Sequence, residues 1–313
     1  MRNKRAFMEI SFAWLFAIIA GAVILFIAIF AATKIINLGQ TTNSATSQNQ
    51  IAVLLNPLET SFQSDHLTSI TVSTPTIIYN QCDSENGAFG NQIISMSQKS
   101  FNKWSTPTNG QAFQNKYIFS DSSVQGQQFY LFSKPFSLPF KVSDVIYMTS
   151  SSEYYCFVNP PQNIQDELSN LNEKNIIVVN DSSSCTGSVT VCFYGENCDI
   201  DVNYDKGELT KSGNGNVISF YGDTLMYGAI FSDTQTYECQ LKRLMMRESQ
   251  LAFLYQDKSN TITQIGCNSG LGPDLIQLGS SSNSFNSSAD LNNLVYLANK
   301  IQDENGGTLC PLW

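Results

Sequence analysis

Hydrophobic residues are distributed unevenly along this chain. One unbroken apolar run extends from Phe12 to Ala32 and contains no charged side chain. A helix of that length spans about 30 Å, the thickness of the hydrocarbon core of a bilayer. Because lipid offers the backbone no hydrogen bonds, such a lone segment is stable there only as a helix. The pattern predicts a transmembrane helix over residues 10–36.

Two other interpretations of this run fit less well. A cleaved secretory signal has an apolar region of about 7–15 residues, whereas this run is longer and no clear A-x-A site follows it. A core helix of a soluble protein normally has a polar face, and this run has none. We therefore favour a retained anchor.

Residues 37–62 form the next segment. Asn37–Gln50 has neither charge nor large apolar groups, as in a flexible stalk. Apolar residues then recur at helical spacing around Pro57, which predicts a kinked entry helix docked on the following domain, or a helix that binds a partner near the membrane. These residues are Ile51, Leu54, Leu55, Leu58 and Phe62.

Residues 63–313 have the pattern of an α+β domain. Short runs rich in Ile, Val, Thr, Tyr and Phe alternate with turn residues over 68–158 and predict strands. Pro135 and Pro139 favour an edge strand or a crossing loop. Strands at Tyr154–Val158 and Asn175–Val179 flank a helical stripe, which predicts a parallel pair. We expect the next three runs, SVTVCFY, CDIDVNY and VISFYG, to extend this sheet as hairpins.

The longest helices of this domain are expected late in the chain. The first covers Thr224–Phe231 with Asp223 as its cap. The second follows a capping box of Ser232 and Gln235 and reaches about Tyr255, and the last covers Asp290–Asp303. The second helix carries a basic cluster, which we interpret as a solvated face, with an anionic ligand as the alternative. This cluster consists of Lys242, Arg243 and Arg247.

Charge and composition restrict the classes of partner. The net charge is −9, and Arg2, Lys4 and Arg5 precede the apolar run, so the rest of the chain is more acidic still. An acidic surface repels nucleic acid and anionic lipid. The basic residues predict a cytoplasmic N-terminus. Twenty phenylalanines and thirteen tyrosines supply the apolar area that a folded domain buries.

All eight cysteines follow the apolar run. An even number confined to the predicted exported part favours disulfides over a metal site, because the chain has no CxxC pair and a single histidine, His66. We expect one local bridge within the close group Cys185, Cys192 and Cys198. The remaining cysteines are Cys82, Cys156, Cys239, Cys267 and Cys310, and the sequence leaves their connectivity open.

The residues before the apolar run are Lys4, Arg5, Ala6, Phe7 and Met8. Two basic residues, a small residue and two apolar residues before a long hydrophobic helix resemble the class III signal of archaeal type IV pilin-like proteins. The resemblance implies cleavage after Ala6 and a mature chain that starts at Phe7.

Glu9 departs from the bacterial pilin pattern, in which an acid stands at the fifth mature position, because here it would be the third. We interpret it either as an assembly residue or as an interfacial carboxylate near a helix N-terminus.

No arrangement of residues indicates catalysis. His66 has no clear Ser or Cys partner, and Ser100 and Lys103 match an S-x-x-K spacing without its companion motifs. Asn180 and Asn286 are glycosylation acceptors in form.

We therefore expect no enzyme, cofactor or metal, and an extracellular domain on a single-pass anchor whose residues 1–9 stay cytoplasmic. Its predicted role is a pilin-like or envelope-assembly subunit that contacts the bilayer and copies of itself or other envelope proteins. The alternative is a domain that binds a sugar, peptide or surface protein.

Overall fold

A computed structural model describes residues 14–34 and 68–313, except for 101, 196 and 214. Trp14–Lys34 is one helix, α1, and confirms the predicted apolar helix over the described part of the run. The predicted segments 1–9 and 37–62 and His66 lie outside the described residues. The rest of the chain is a β-rich α+β body, as expected.

The first sheet of this body is mainly antiparallel and has seven strands. Its order is β3-β2-β1-β6-β7-β5, with β4 also paired to β2. Pro135 lies on β6 beyond Leu131, where the pairing with β1 ends, and Pro139 lies in the turn to β7, so both prolines avoid central positions as predicted. The strands are β1 (Thr68–Asp83), β2 (Asn91–Ser100), β3 (Lys103–Trp104), β4 (Gln111–Phe113), β5 (Ile118–Phe119), β6 (Ser123–Ser137) and β7 (Lys141–Ser150).

The second sheet is mixed and has six strands in the order β13-β12-β11-β10-β8-β9. Strands β8 and β9 are connected by helix α2 and pair in parallel, which confirms the predicted strand–helix–strand unit. Helix α2 (Gln162–Leu171) buries Ile164, Leu168 and Leu171. The strands are β8 (Tyr155–Val158), β9 (Ile176–Val179), β10 (Val189–Phe193), β11 (Ile200–Asn203), β12 (Glu208–Lys211) and β13 (Val217–Ser219).

The predicted hairpin between β10 and β11 is wrong, because these strands pair in parallel. The short connection between β10 and β11 can carry the chain back to the end of the sheet where β10 began. It does so because Tyr194 and Asn197 adopt positive φ angles of 59° and 73°, in the left-handed region that reverses a chain sharply. A Cys192–Cys198 disulfide closes the same loop. The later turns, β11 to β12 and β12 to β13, join antiparallel strands, but the strand β12 between them was not predicted.

The helices differ from the prediction at their ends. Helix α3 (Gly222–Phe231) has no side-chain cap from Asp223. The N–H of Ser232 donates to Gly228 O, so Ser232 is the C-cap of α3. The N-cap of the next helix is therefore Asp233, whose carboxylate accepts from Thr236 N at 2.8 Å. Very few residues separate α3 from α4. Both predicted caps, Asp223 and the capping box of Ser232 and Gln235, are therefore wrong.

Helix α4 (Thr234–Gln264) does not end near Tyr255 but continues for more than two turns. Its polar last part is fixed by tertiary contacts, among them a bond of 2.7 Å between Ser259 Oγ and Ser269 Oγ. Helix α5 (Gly272–Asn283) was not predicted, although Pro273 in its first turn is a helix-start signal. The predicted last helix is α6, over Leu291–Gly307.

Both sheets share one large core. Phe231 of α3 lies in edge-on contact with Phe132 of the first sheet and Tyr155 of the second, at centroid distances of 5.8 and 4.9 Å. Tyr237 and Leu241 of α4 are fully buried in the same cluster. The aromatic residues predicted to supply a core therefore join the two sheets.

The eight cysteines form four pairs at disulfide distance, which confirms the predicted disulfide set. Cys192–Cys198 is the expected local bridge. The connectivity that the sequence left open is Cys82–Cys239, Cys156–Cys185 and Cys267–Cys310. Cys82–Cys239 links β1 to α4 across 157 residues of chain, so it ties the first sheet to the longest helix.

Loop length predicts how much each bridge stabilises the fold. Replacing Cys82 and Cys239 by serine should lower the free energy of unfolding by about 5 kcal/mol, because the bridge restricts a long loop in the unfolded chain. Replacing Cys192 and Cys198, which are six residues apart, should lower it by about 2 kcal/mol. Urea unfolding of both double variants measures the difference, and equal losses would contradict this account.

Candidate functional site

Helix α1 is the first candidate for a functional element. It has a mean hydropathy of 3.0 and none of its most apolar window is buried. Its only charged residue is the terminal Lys34, whose Nζ lies 5.7 Å from the centre of the Phe30 ring. The helix is long and apolar enough to cross a membrane. The processing residues Lys4, Arg5, Ala6 and Phe7 and the candidate assembly residue Glu9 lie outside the described residues and stay predictions.

The basic cluster on α4 is not the solvated face that we expected. Arg243 is fully buried. Its guanidinium donates to four backbone carbonyls: Nε to Phe89 at 2.9 Å, Nη1 to Lys116 at 2.8 Å, and Nη2 to Phe113 and Gln114 at 3.3 and 3.0 Å. These carbonyls belong to the segments around β4 and the start of β2. Arg243 therefore binds the chain's own loops and presents no group to an anionic ligand.

A glycine, Gly90, leaves room for the Arg243 side chain. Gly90 has a φ of +61°, and a Cβ there would lie 2.9 Å from Arg243 Cγ. Any other residue would meet both the strain of the left-handed region and that contact. On the other side, the guanidinium carbon lies 4.8 Å from the centre of the Tyr117 ring, a distance at which a cation is attracted to the ring face. Burial lowers the pKa of Arg243 to about 10, so it stays charged at neutral pH.

The other two members of the cluster are also engaged. Lys242 Nζ pairs with Glu85 Oε1 at 2.7 Å on the surface, and Arg247 Nε donates to Val142 O at 2.8 Å. The interpretation as a solvated face is therefore wrong for Arg243 and holds for Lys242, which lies on the surface. The cluster fastens α4 to the first sheet.

A buried chain of amides extends from Arg243 into the first sheet. Arg243 Nη1 donates to Gln240 Oε1 at 2.8 Å, and Gln240 Nε2 donates to Gln92 Oε1 and to Ile118 O. Asn80 Nδ2 donates to the same Ile118 carbonyl at 3.1 Å, and Asn80 Oδ1 accepts from Gln92 Nε2. A buried network with its members bonded in this way specifies one docking position.

A second polar cluster lies where both sheets meet α3 and α4. Asp233 accepts from Ser122 N at 2.7 Å as well as capping α4, and Lys211 Nζ donates to Ile230 O at 3.1 Å at the end of α3. Burial, followed by the charge of Glu153, raises the pKa of Asp121 to about 6. Since the Lys211 ammonium already lies among these carboxylates, the cluster is a structural junction.

Two carboxyl groups are buried without a partner. Within the described residues, neither oxygen of Glu173 or of Glu248 has a hydrogen-bond partner. Burial raises the pKa of Glu173 to about 8 and raises that of Glu248 well above its ordinary value. Both side chains are therefore neutral at mildly acidic pH. Burial is the cause of both shifts.

The remaining sequence candidates are not brought together into a site. Ser100 and Lys103 are cross-strand neighbours at the β2–β3 turn. Cys192, Cys198 and Asp201 have ligand atoms within 4.8 Å of one another, but the two sulfurs are joined in a disulfide and offer no thiolate to a metal. The glycosylation candidates Asn180 and Asn286 are both exposed.

Within the described residues, a cleft of about 520 Å³ lies between α5 and α6. Tyr296, which is 78% exposed, lines this cleft together with Gln277, Asn293 and Lys300. The Lys300 ammonium already pairs with Asp274 at 2.8 Å. An aromatic ring with neighbouring amides can stack on and hydrogen-bond a polar ligand. This cleft was not predicted from the sequence, because α5, which forms one of its walls, was not predicted.

Comparisons with known proteins add no functional assignment. The chain matches no protein-family model, no curated protein and no solved structure.

The buried arginine makes a direct prediction about stability. Arg243→Met should lower the free energy of unfolding by about 3 kcal/mol or more, because several buried carbonyls lose their donor. Arg243→Lys should not restore it, since one ammonium cannot reach acceptors arranged around a planar guanidinium. Urea unfolding gives the measurement. Lys242→Met is the matched control and should change the value by less than about 1 kcal/mol.

The buried acids make a prediction about pH. Between pH 4.5 and about 8 the unfolded chain releases the Glu173 proton while the folded protein keeps it, so stability should fall as pH rises, by at most roughly 1.4 kcal/mol per pH unit. Glu173→Gln should remove this contribution and stabilise the protein at pH 7. The exposed residue Glu304 supplies the control, Glu304→Gln. Parallel pH profiles of wild-type and Glu173→Gln protein, measured by urea unfolding, would contradict the assignment.

Proposed function

We propose that this chain is a non-catalytic surface protein, anchored in a membrane by α1, whose body of residues 68–313 lies outside the cytoplasm. The observation that carries the proposal is the exposure of α1 along its whole length despite a mean hydropathy of 3.0. A surface of this kind is costly in water and favourable in lipid.

Two further features support the orientation. Arg2, Lys4 and Arg5 precede the helix, and basic residues beside a transmembrane helix favour the cytoplasmic side. The body contains four disulfides, which persist in oxidising compartments outside the cytosol. Both features support an orientation with the N-terminus inside and the body outside.

The assembly role is a separate part of the proposal. The residues Lys4, Arg5, Ala6 and Phe7 resemble a class III signal, so we infer cleavage between Ala6 and Phe7. Glu9 is then the third residue of the mature chain, and its carboxylate can interact with a helix N-terminus or with a neighbouring subunit. The partners of this protein are the bilayer, copies of the chain itself and other envelope proteins.

Processing and anchoring can be tested together. Mass spectrometry of the protein from its native membrane should find Phe7 as the first residue. Ala6→Leu should accumulate the uncleaved chain, whereas Ala13→Leu, within the apolar run but outside the junction, should be processed normally. All three proteins should stay in the membrane pellet after carbonate extraction, because burial of apolar surface and not charge holds the helix.

The processing part and the anchoring part of the proposal can be refuted independently. An intact Met1 end with normal behaviour of Ala6→Leu would refute the pilin-type junction and leave an ordinary signal anchor. Recovery of the full chain in the soluble fraction would refute the anchor itself.

The cleft beside Tyr296 favours a second candidate function, a domain that binds a polar ligand such as a saccharide. Tyr296 and the amides of Gln277 and Asn293 are the groups that would contact it. Filaments in electron micrographs of the native membrane would favour assembly, and isolated monomers would favour this binding role.

A further inference from the structure

Charge is distributed unevenly over the body of residues 68–313. Acids outnumber basic residues in the body as a whole, and yet no Asp or Glu occurs from Asn86 to Ser120. This is the longest acid-free stretch of the body, and it contains three lysines, of which Lys116 is buried. A local excess of positive charge in an acidic protein indicates a surface for an anionic partner.

The other two lysines of this stretch lie on the turn between β2 and β3. Lys99 of β2 is opposite Trp104 of β3, and Lys103 precedes Trp104 and is exposed. Asn102 makes the sharp turn between the strands with a φ of 60°, a conformation that asparagine adopts more readily than most residues. We call Lys99–Trp104 the basic hairpin.

The described chain does not neutralise the charge of the basic hairpin. A lysine elsewhere on the first sheet, Lys141, has a carboxylate partner, Asp144, at 2.8 Å. Within the described residues, neither Lys99 nor Lys103 forms an ion pair with a carboxylate. Both ammonium groups are therefore available to an anionic group from outside the body.

Trp104 adds an aromatic ring to these charges. The Lys99 Nζ lies 5.8 Å from the centre of the Trp104 ring, a distance at which a cation is attracted to the ring face. Tryptophan is enriched at membrane–water interfaces, because its ring is apolar and its N–H is polar. Lysine is suited to the same depth, because its apolar stem can lie along lipid while its ammonium reaches the headgroups. The basic hairpin thus combines two residue types that favour a membrane interface.

The basic hairpin lies at the end of the first sheet where the chain enters the body. Gln98 of β2 pairs with Thr76 of β1, and β1 begins farther in the same direction, at Thr68. Because β2 is antiparallel to β1, the end of β2 and the start of β1 point the same way. In the described chain α1 precedes Thr68, so this end of the sheet is the one that is connected to the anchor.

Acids lie at the opposite end of β2. Asp83 is opposite Asn91, the first residue of this strand, and the nearby Glu85 pairs with Lys242. The ten residues of β2 separate this end from the basic hairpin by roughly 30 Å, which is several Debye lengths at physiological ionic strength. An anionic surface at the basic hairpin is therefore attracted by its lysines and largely screened from these acids.

We propose that the basic hairpin contacts the bilayer in which α1 is anchored. Lys99 and Lys103 bind phosphate oxygens of anionic lipid headgroups, and the Trp104 ring lies at the interface. The inference rests on the proposed anchoring by α1 and adds a second contact between the chain and the membrane. This contact fixes the orientation of the first sheet, with the basic hairpin at the lipid and Asp83 directed away from it.

The contact is weak by itself, so it depends on the anchor. Each lysine close to an anionic membrane surface favours the contact roughly fivefold. Two lysines do not hold an acidic body of this size on a membrane against its overall repulsion. The anchor confines the body close to the bilayer and so raises the effective concentration of headgroups at the hairpin.

Quenching of tryptophan emission by brominated lipid tests the contact, because bromine on the acyl chains quenches an indole only when the indole reaches the lipid. We would reconstitute the full-length chain in brominated vesicles of phosphatidylcholine alone or of equal parts phosphatidylcholine and phosphatidylglycerol. The chain has three tryptophans, so the Trp104 signal is the difference between the wild-type protein and Trp104→Phe. Its quenching should be roughly threefold stronger in the anionic vesicles. About 1 M salt should remove the difference by screening.

Variants of the lysines show whether their charge makes the contact. The double variant Lys99→Gln/Lys103→Gln should lower the quenching of Trp104 in anionic vesicles to the level in neutral vesicles. Lys99→Arg/Lys103→Arg keeps the charge and should keep the quenching. The matched control, Lys174→Gln/Lys206→Gln, removes two exposed lysines beside the second sheet. It changes the net charge equally and should leave the quenching unchanged.

The outcomes separate this inference from the membrane proposal. A chain that floats with the anionic vesicles while its Trp104 signal is not quenched overturns the hairpin contact alone, and equal quenching in the two glutamine variants does the same. A Trp104 signal that ignores lipid but changes with the protein-to-lipid ratio assigns the hairpin to contact between copies, which also overturns the lipid contact. A chain that floats with neither kind of vesicle overturns the anchor and, with it, this inference.

Discussion

The attachment of α4 to the first sheet is the interaction on which the rest of this structure depends. Arg243 enters the sheet from the helix and satisfies carbonyls of several loops at once, while Gln240 joins the amides of Gln92 and Asn80. Because these donors are buried, a helix shifted by one turn would leave many of them without partners. The Cys82–Cys239 bridge holds the same two elements covalently.

Once α4 is fixed, it orients the second sheet. Tyr237, on the same helix, donates to the backbone of β13, and Asp233 at its start bonds the loop before β6. Lys211 of β12 closes the end of α3. The aromatic residues of α3 can then pack against both sheets, and a single core forms in place of two smaller ones.

The sequence by itself determined the features that depend on local composition. The apolar run Phe12–Ala32 predicted a helix by its length and lack of charge, and the structure has that helix over the described residues Trp14–Lys34. The strand–helix–strand unit of β8, α2 and β9 and the disulfide set were likewise evident from periodicity and from the number and placement of cysteines.

Only the tertiary structure decided the features that depend on distant neighbours. Arg243 looks like a surface charge in sequence, and its burial follows from loops more than a hundred residues away. The parallel pairing of β10 and β11 and the length of α4 have the same origin. Hydrogen bonds and packing between remote segments decide which strand neighbours which, and no local pattern carries that information.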